Sequence, residues 1–166
     1  MSELTNEPEF CPPYSWPDAD LVLQSQDGRK FRVHSDMMKT ASGFFRGMLG
    51  IPRDPSENPQ EPLPVDETSN VVAGLLNMVY HISAPTLTDS FDLFGRVFSA
   101  AEKYEMTSVI ETLSLIVFTQ LQAGHLDPLS AYAFACRYGW EDVAKSVSSQ
   151  LLDIKFLSLN ESPGAS

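Results

Sequence analysis

The sequence predicts an α+β domain, mostly helical, in which a β-hairpin and a short third strand pack on a helical bundle. Three observations predict it. Leu21 and Leu23, then Phe31 and Val33, alternate with polar neighbours on either side of Asp27-Gly28, the period of half-buried strands flanking a turn. From Ser35 onward the apolar residues recur at helical spacing; Val71, Val72, Leu75, Leu76, Val79 and Tyr80 fall at i, i+4 and i+8. The chain of 166 residues, 43% of them hydrophobic, is long enough for one core of ordinary domain size.

In chain order, residues 1–17 hold Glu3, Glu7 and Glu9, no Lys or Arg, and prolines at 8, 12, 13 and 17. They are expected to form a flexible acidic arm, because so little apolar surface does not offset the entropy of ordering. Phe10, Tyr14 and Trp16 are the residues in it able to dock. For the hairpin, a two-residue turn at Asp27-Gly28 pairs Leu23 with Arg32 and sends the apolar residues to opposite faces. A three-residue loop, Gln26-Asp27-Gly28, pairs Leu23 with Phe31 and Leu21 with Val33, and puts Gly28 at the left-handed position of a bulged turn. A slip of one residue flips a whole face, so the three-residue loop is the prediction. It sets Asp20 across from His34, close enough for a charge-assisted hydrogen bond.

Ser35 is the predicted cap of a short helix through Ala41, and Ser42 of a second one carrying Phe44, Phe45, Met48 and Leu49. Prolines at 52, 55, 59, 62 and 64 make residues 51–64 a loop, with Leu63 and Val65 as a short strand leaving it. Ser69, Thr88 and Thr107 are expected to cap three longer helices. Asp127-Pro128 opens a fourth that stops at Gly139. Val143, Val147 and Leu151 mark a last helix from about Glu141 to Leu152. The organisation expected is an arm over 1–17, a domain over 18–122, a two-helix extension over 123–157 and a flexible tail over 158–166.

Charge narrows the partners. Lys plus Arg total 11 against 22 Asp plus Glu, a formal charge of −11 and a pI near 4.5. Such a balance opposes binding to a phosphate backbone, which needs clustered cations, and adhesion to anionic lipid. Neither nucleic acid nor a membrane is an expected partner. No apolar run approaches the roughly 18–20 residues of a spanning helix, and Met1 to Pro17 lacks the basic-then-apolar pattern of a secretory leader. Two cysteines, Cys11 and Cys136, stand far apart, so neither a disulfide scaffold nor a cysteine-rich zinc site is expected, and the setting is read as intracellular, cytoplasm or nucleus.

The search for reaction chemistry returns little. His34, His81 and His125 lie outside metal-ligand spacing of each other and of the cysteines. No phosphate-cradling glycine loop occurs; Gly43, Gly47 and Gly50 punctuate a helix end. Glu102 and Glu105 read as a solvated face beside Lys103, and Asp89, Asp92, Glu141 and Asp142 sit in first helical turns, where the helix dipole favours anions. Cys136 with His125 is the one conceivable nucleophile pair, a remote cysteine-hydrolase alternative; the plainer reading makes Cys136 a small buried hydrophobe. No catalytic residue, metal or cofactor is expected, and the chain is read as a non-enzyme. Asp20 with His34 reads as a pair stitching sheet to helix.

Three blocks, Asp18-Ala-Asp-Leu-Val-Leu23, Asp27-Gly-Arg-Lys-Phe-Arg-Val-His34 and Ala41-Ser-Gly-Phe-Phe-Arg-Gly-Met48, resemble the BTB/POZ domain, as does the junction Ala100-Ala-Glu-Lys-Tyr-Glu-Met106. The resemblance spans about residues 18–122, with Asp20, His34, Ala41, Ser42 and Phe45 at the family's signature positions. Pro128 to Trp140 is similar to the helical extension of a fungal subset of that family. The resemblance implies a protein-interaction module without catalysis, one that homodimerises through its first helices. It makes Met37, Met38, Thr40 and Phe44 the candidate interface, with Met37 and Thr40 favoured and Phe45 and Met48 assigned to the core. It further implies recruitment of a partner protein, with a cullin ubiquitin-ligase scaffold among the candidates, or else self-association as the whole function. Two positions depart from the family's specialised members. Ser35 replaces the basic residue of the corepressor-binding pocket, and Ile82 is followed by Ser83 and Ala84 where cullin-binding members carry an acidic anchor. Ser56 is a candidate phosphorylation site, and Phe10 to Trp16 a candidate strand for a dimer partner, although Pro12, Pro13 and Pro17 oppose a regular ladder.

Overall fold

A computed structural model describes residues 9–52, 58, 61–87 and 91–160. It contains a four-stranded sheet of β1 (Phe10–Ser15), β2 (Leu21–Gln24), β3 (Lys30–Val33) and β4 (Leu63–Pro64), in the order β1-β3-β2-β4. The helices are α1 (Ser35–Ala41), α2 (Gly43–Leu49), α3 (Ser69–Val79), α4 (Phe91–Lys103), α5 (Thr107–Gln122), α6 (Pro128–Tyr138) and α7 (Glu141–Asn160). These elements divide into two compact units, one of residues up to Thr86 with Asp92–Ile110, the other of Leu87–Phe91 with residues from Glu111 onward.

In the first unit the hairpin has the predicted register: Leu23 pairs with Phe31 and Leu21 with Val33, antiparallel. Ser25 N–H donates to the Arg29 carbonyl at 2.9 Å, leaving a three-residue loop, and Gly28 takes φ 81° at its left-handed position, where a Cβ is disfavoured. Leu21, Leu23, Phe31 and Val33 are all buried. Leu23 borders Met38, Phe45, Val72, Leu75, Leu76, Tyr104 and Met106, and Phe94, Val97, Phe98 and Ala101 of α4 are buried as well. The core is tight: the apolar void bordered by Leu23, Met38, Phe45 and Leu76 measures ≈ 20 Å³, about a single probe sphere. β4 joins β2 in parallel, Leu23 opposite Leu63, and Val65 N–H adds a bond to the Gln24 carbonyl; most of the expected proline-rich loop before it, 53–57 and 59–60, lies outside the described residues.

The expected arm is corrected over residues 9–17. β1 pairs in parallel with β3, Phe10 opposite Lys30 and Ser15 opposite Arg32, with an irregularity between. The prolines are tolerated because this is an edge strand with a shifted register. What orders it is Tyr14, 1% exposed, a side chain whose burial is worth about 2–3 kcal/mol, with its hydroxyl donating to Asn77 Oδ1. β1 therefore extends the sheet of its own chain. Residues 1–8, with Glu3 and Glu7, lie outside the described residues, as do Ser56, the candidate cap Thr88, Asp89 and residues 161–166.

In the second unit, Asp127 caps α6 as predicted, accepting from Ser130 N–H at 2.9 Å, and Gly139 closes it at φ 72°. Ala131, Phe134 and Ala135 of α6 are buried with Trp140, Val143 and Val147, and Phe134 stacks edge-on against Phe91 and Trp140 at 5.2 and 5.0 Å. α7 continues to Asn160, past the Leu152 and Ser158 limits expected from sequence. No Gly or Pro occurs between Glu141 and Asn160, so nothing there terminates a helix. Cys136 is likewise corrected: it is exposed on α6.

Candidate interaction surface

Two carboxylates at opposite ends of the hairpin each grip the first residue of a helix. Asp20, just before β2, accepts from Ser35 N–H at 2.7 Å and from Ser35 Oγ at 2.6 Å. Asp27, in the turn, accepts from Ser69 N–H at 2.8 Å and from Ser69 Oγ at 2.6 Å. Each satisfies an amide that α1 or α3 would otherwise leave unpaired, and brings negative charge to the positive helix end. Ser35 and Ser69, expected as caps, are instead the first residues of their helices; the flanking residues are His34 and Thr68, without side-chain caps. Burial raises the Asp20 carboxyl, but the Ser35 bonds outweigh it and hold the group below its ordinary value. The Ser69 hydroxyl first, then Ser25 and the Ser69 amide, bring Asp27 down to about 2.

Asp20 and His34 lie across the hairpin but do not bond to each other. The His34 amide donates to Tyr80 Oη at 2.8 Å, its Nδ1 lies 3.0 Å from the same oxygen, and its Nε2 lies 3.4 Å from Asp18 Oδ2. Burial pushes the Tyr80 phenol up. Trp16 stacks on Tyr80 at 4.7 Å and near His34 at 5.5 Å, and Tyr14 lies 6.1 Å from Tyr80. This aromatic cluster fastens the segment after β1 to the start of α1 and the end of α3. The sequence offered one signal for it: Tyr14 and Trp16 standing in a proline-rich stretch.

α1 and α2 present the exposed face predicted for self-association, in part. Thr40 is exposed, Met37 and Met48 are half-buried, and Phe44 is 43% exposed with its ring against Phe45 and Tyr104. Met38 is corrected: at 1% exposure it belongs to the core and offers nothing to a partner. A seven-residue helix has too few turns for sequence alone to separate its faces. Ala41 ends α1 half-buried. Ser42 is fully buried, caps α2 by accepting from Phe45 N–H, and donates to the Tyr104 carbonyl. Phe45 is buried and stacks on Tyr104 at 5.5 Å. Arg46 spans the helix pair, its Nε donating to the Lys39 carbonyl at 3.0 Å.

His125 and Cys136 are both exposed, and among the described residues no hydrogen bond joins them. Among those residues no group of three His, Cys, Asp or Glu could hold a metal ion, and no helix is long and apolar enough to cross a membrane. Among the described residues the concavities include three open grooves of similar size, one of ≈ 360 Å³ over the outer face of the sheet, one of ≈ 400 Å³ between α2 and β4 and one of ≈ 370 Å³ beside Cys11, Asp27 and Ser69. The chain belongs to the BTB/POZ family: the model of the BTB/POZ domain matches residues 15–120, and family members are in general interaction modules. Among solved structures, the BTB domain of zebrafish PATZ1 is similar, with a TM-score of 0.48 and 18% identity, covering 61% of this chain and 76% of that one. No curated protein matches.

Proposed function

We propose that this protein homodimerises through the α1–α2 face and, as a dimer, recruits a partner protein. The observation that carries the reading is that Thr40 and Phe44 are exposed and Met37 half-buried on two consecutive short helices, while Met38 and Phe45 anchor the same helices in the core. Methionine and aromatic side chains suit an interface because they bury area adaptably. A cullin ubiquitin-ligase scaffold is one candidate partner. Ile82, 50% exposed after α3, supplies the apolar half of the family's docking motif, and Ala84 stands where an acid would complete it. The two free thiols, Cys11 and Cys136, support an intracellular setting.

The test is affinity capture from the source cell with mass spectrometry, using the wild type beside Met37→Asp. Recovery of a second protein with the wild type supports the adaptor reading. Recovery of the protein alone supports self-association as the whole function.

A further inference from the structure

The outer face of the sheet carries an open groove of ≈ 360 Å³ lined by Phe10, Val22, Lys30, Arg32 and Pro62 together with Glu9 and Asp20. Its floor is set by strand alternation: Phe31 and Val33 point into the core, so Lys30 and Arg32 point out. The Arg32 guanidinium lies over the Phe10 ring, 4.6 Å from its centroid, and makes no ion pair among the described residues. Of the two carboxylates at the groove, Asp20 is committed to Ser35. Glu9 reaches Lys30 only at 3.7 Å and is 71% exposed, an exposed pair of the kind that contributes little.

Among the described residues this guanidinium rests on an aromatic ring without an anion, which leaves its charge open to a carboxylate. Alternate residues on one strand face stand about 6.6 Å apart. Lys30 and Arg32 therefore match two carboxylates at alternate positions of an extended peptide, and Phe10, Val22 and Pro62 offer apolar surface to the methylene stems of those two side chains. We infer that this groove is a docking site for an extended acid-x-acid segment of a partner protein, in which one carboxylate meets Arg32 and the other displaces Glu9 from Lys30. The inference rests on the interaction-module reading above and supplies its recruiting surface. At physiological salt the screening length of about 8 Å limits repulsion from the chain's distant acids.

The probe is a fluorescein-labelled Ala-Glu-Val-Glu-Ala peptide, compared with its Gln-Val-Gln counterpart by fluorescence anisotropy. Arg32→Met retains an unbranched stem over Phe10 without the charge, and Arg96→Met removes an equal charge from α4, where Arg96 pairs with Asp92. The expected result is saturable binding of the acidic peptide to the wild type, weakened at least about tenfold by the Gln peptide or by Arg32→Met and unchanged by Arg96→Met. Absence of saturable binding, equal binding by Arg32→Met, or an equal loss with Arg96→Met overturns the assignment. If circular dichroism shows Arg32→Met unfolded, the two peptides on the wild type decide. Light scattering on the same sample separates the outcomes: a dimer that ignores the peptide removes this groove and leaves the proposed function standing, whereas a monomer counts against that function.

Discussion

Replacing Asp27 by Asn isolates the contribution of one hairpin carboxylate to holding α3. Asn preserves the turn chemistry beside Gly28 but removes the charge and the oxygen that accepts from Ser69 Oγ at 2.6 Å. The folded carboxyl lies near 2 against 3.8, which corresponds to about 2.5 kcal/mol at most. The side chain is exposed, and solvent screening reduces that to about 1 kcal/mol. Loss of a charge-assisted bond at a helix start gives a similar figure. Because the folded pKa lies below the unfolded one, the stabilisation is complete above about pH 4 and disappears as pH falls through about 2. Urea unfolding, followed by Trp16 fluorescence in a Trp140→Phe background, reports on the unit that contains the turn. Asp27→Asn is expected to cost about 1 kcal/mol at pH 7, with the gap to wild type narrowing between pH 4 and 2.5. A cost under about 0.3 kcal/mol at pH 7, or a gap that does not change with pH, would refute the reasoning.

Other substitutions probe the same architecture. Ser42→Ala removes both the α2 cap and the bond to the Tyr104 carbonyl from a buried site, and is expected to cost about 2 kcal/mol in the same unfolding assay. Tyr14→Phe leaves Asn77 Oδ1 without its hydroxyl donor; about 1–2 kcal/mol is expected, with faster amide exchange in β1. Met38→Asp puts a charge into the core and should abolish cooperative thermal unfolding, whereas Met37→Asp should leave the melting temperature within a few degrees of wild type.

Local chemistry made much of the fold legible. The hairpin register followed from which residues had to share a face, and it is the one adopted, Gly28 included. Ser42, Asp127 and Gly139 act within three or four residues of their targets, so their roles show in a short stretch of chain. Asp27 and Ser69 are 42 residues apart; no local pattern joins them, so the sequence points to Ser69 and not to Asp27 as the group that satisfies the start of α3. β1 escaped because prolines forecast a loop while one buried tyrosine decides the energetics. Met38 and Met37 are neighbours in a helix of two turns, and only the packed structure tells core from surface. α7 ran past its expected end because apolar periodicity faded before any residue that stops a helix.

The claim on which the account rests is that the exposed side of α1 and α2 binds a second copy of the chain. Multi-angle light scattering across micromolar concentrations tests it directly. A mass near twice 18.4 kDa is expected for the wild type, falling to a single chain for a folded Met37→Asp. A wild-type protein that stays a single chain at every concentration would contradict it.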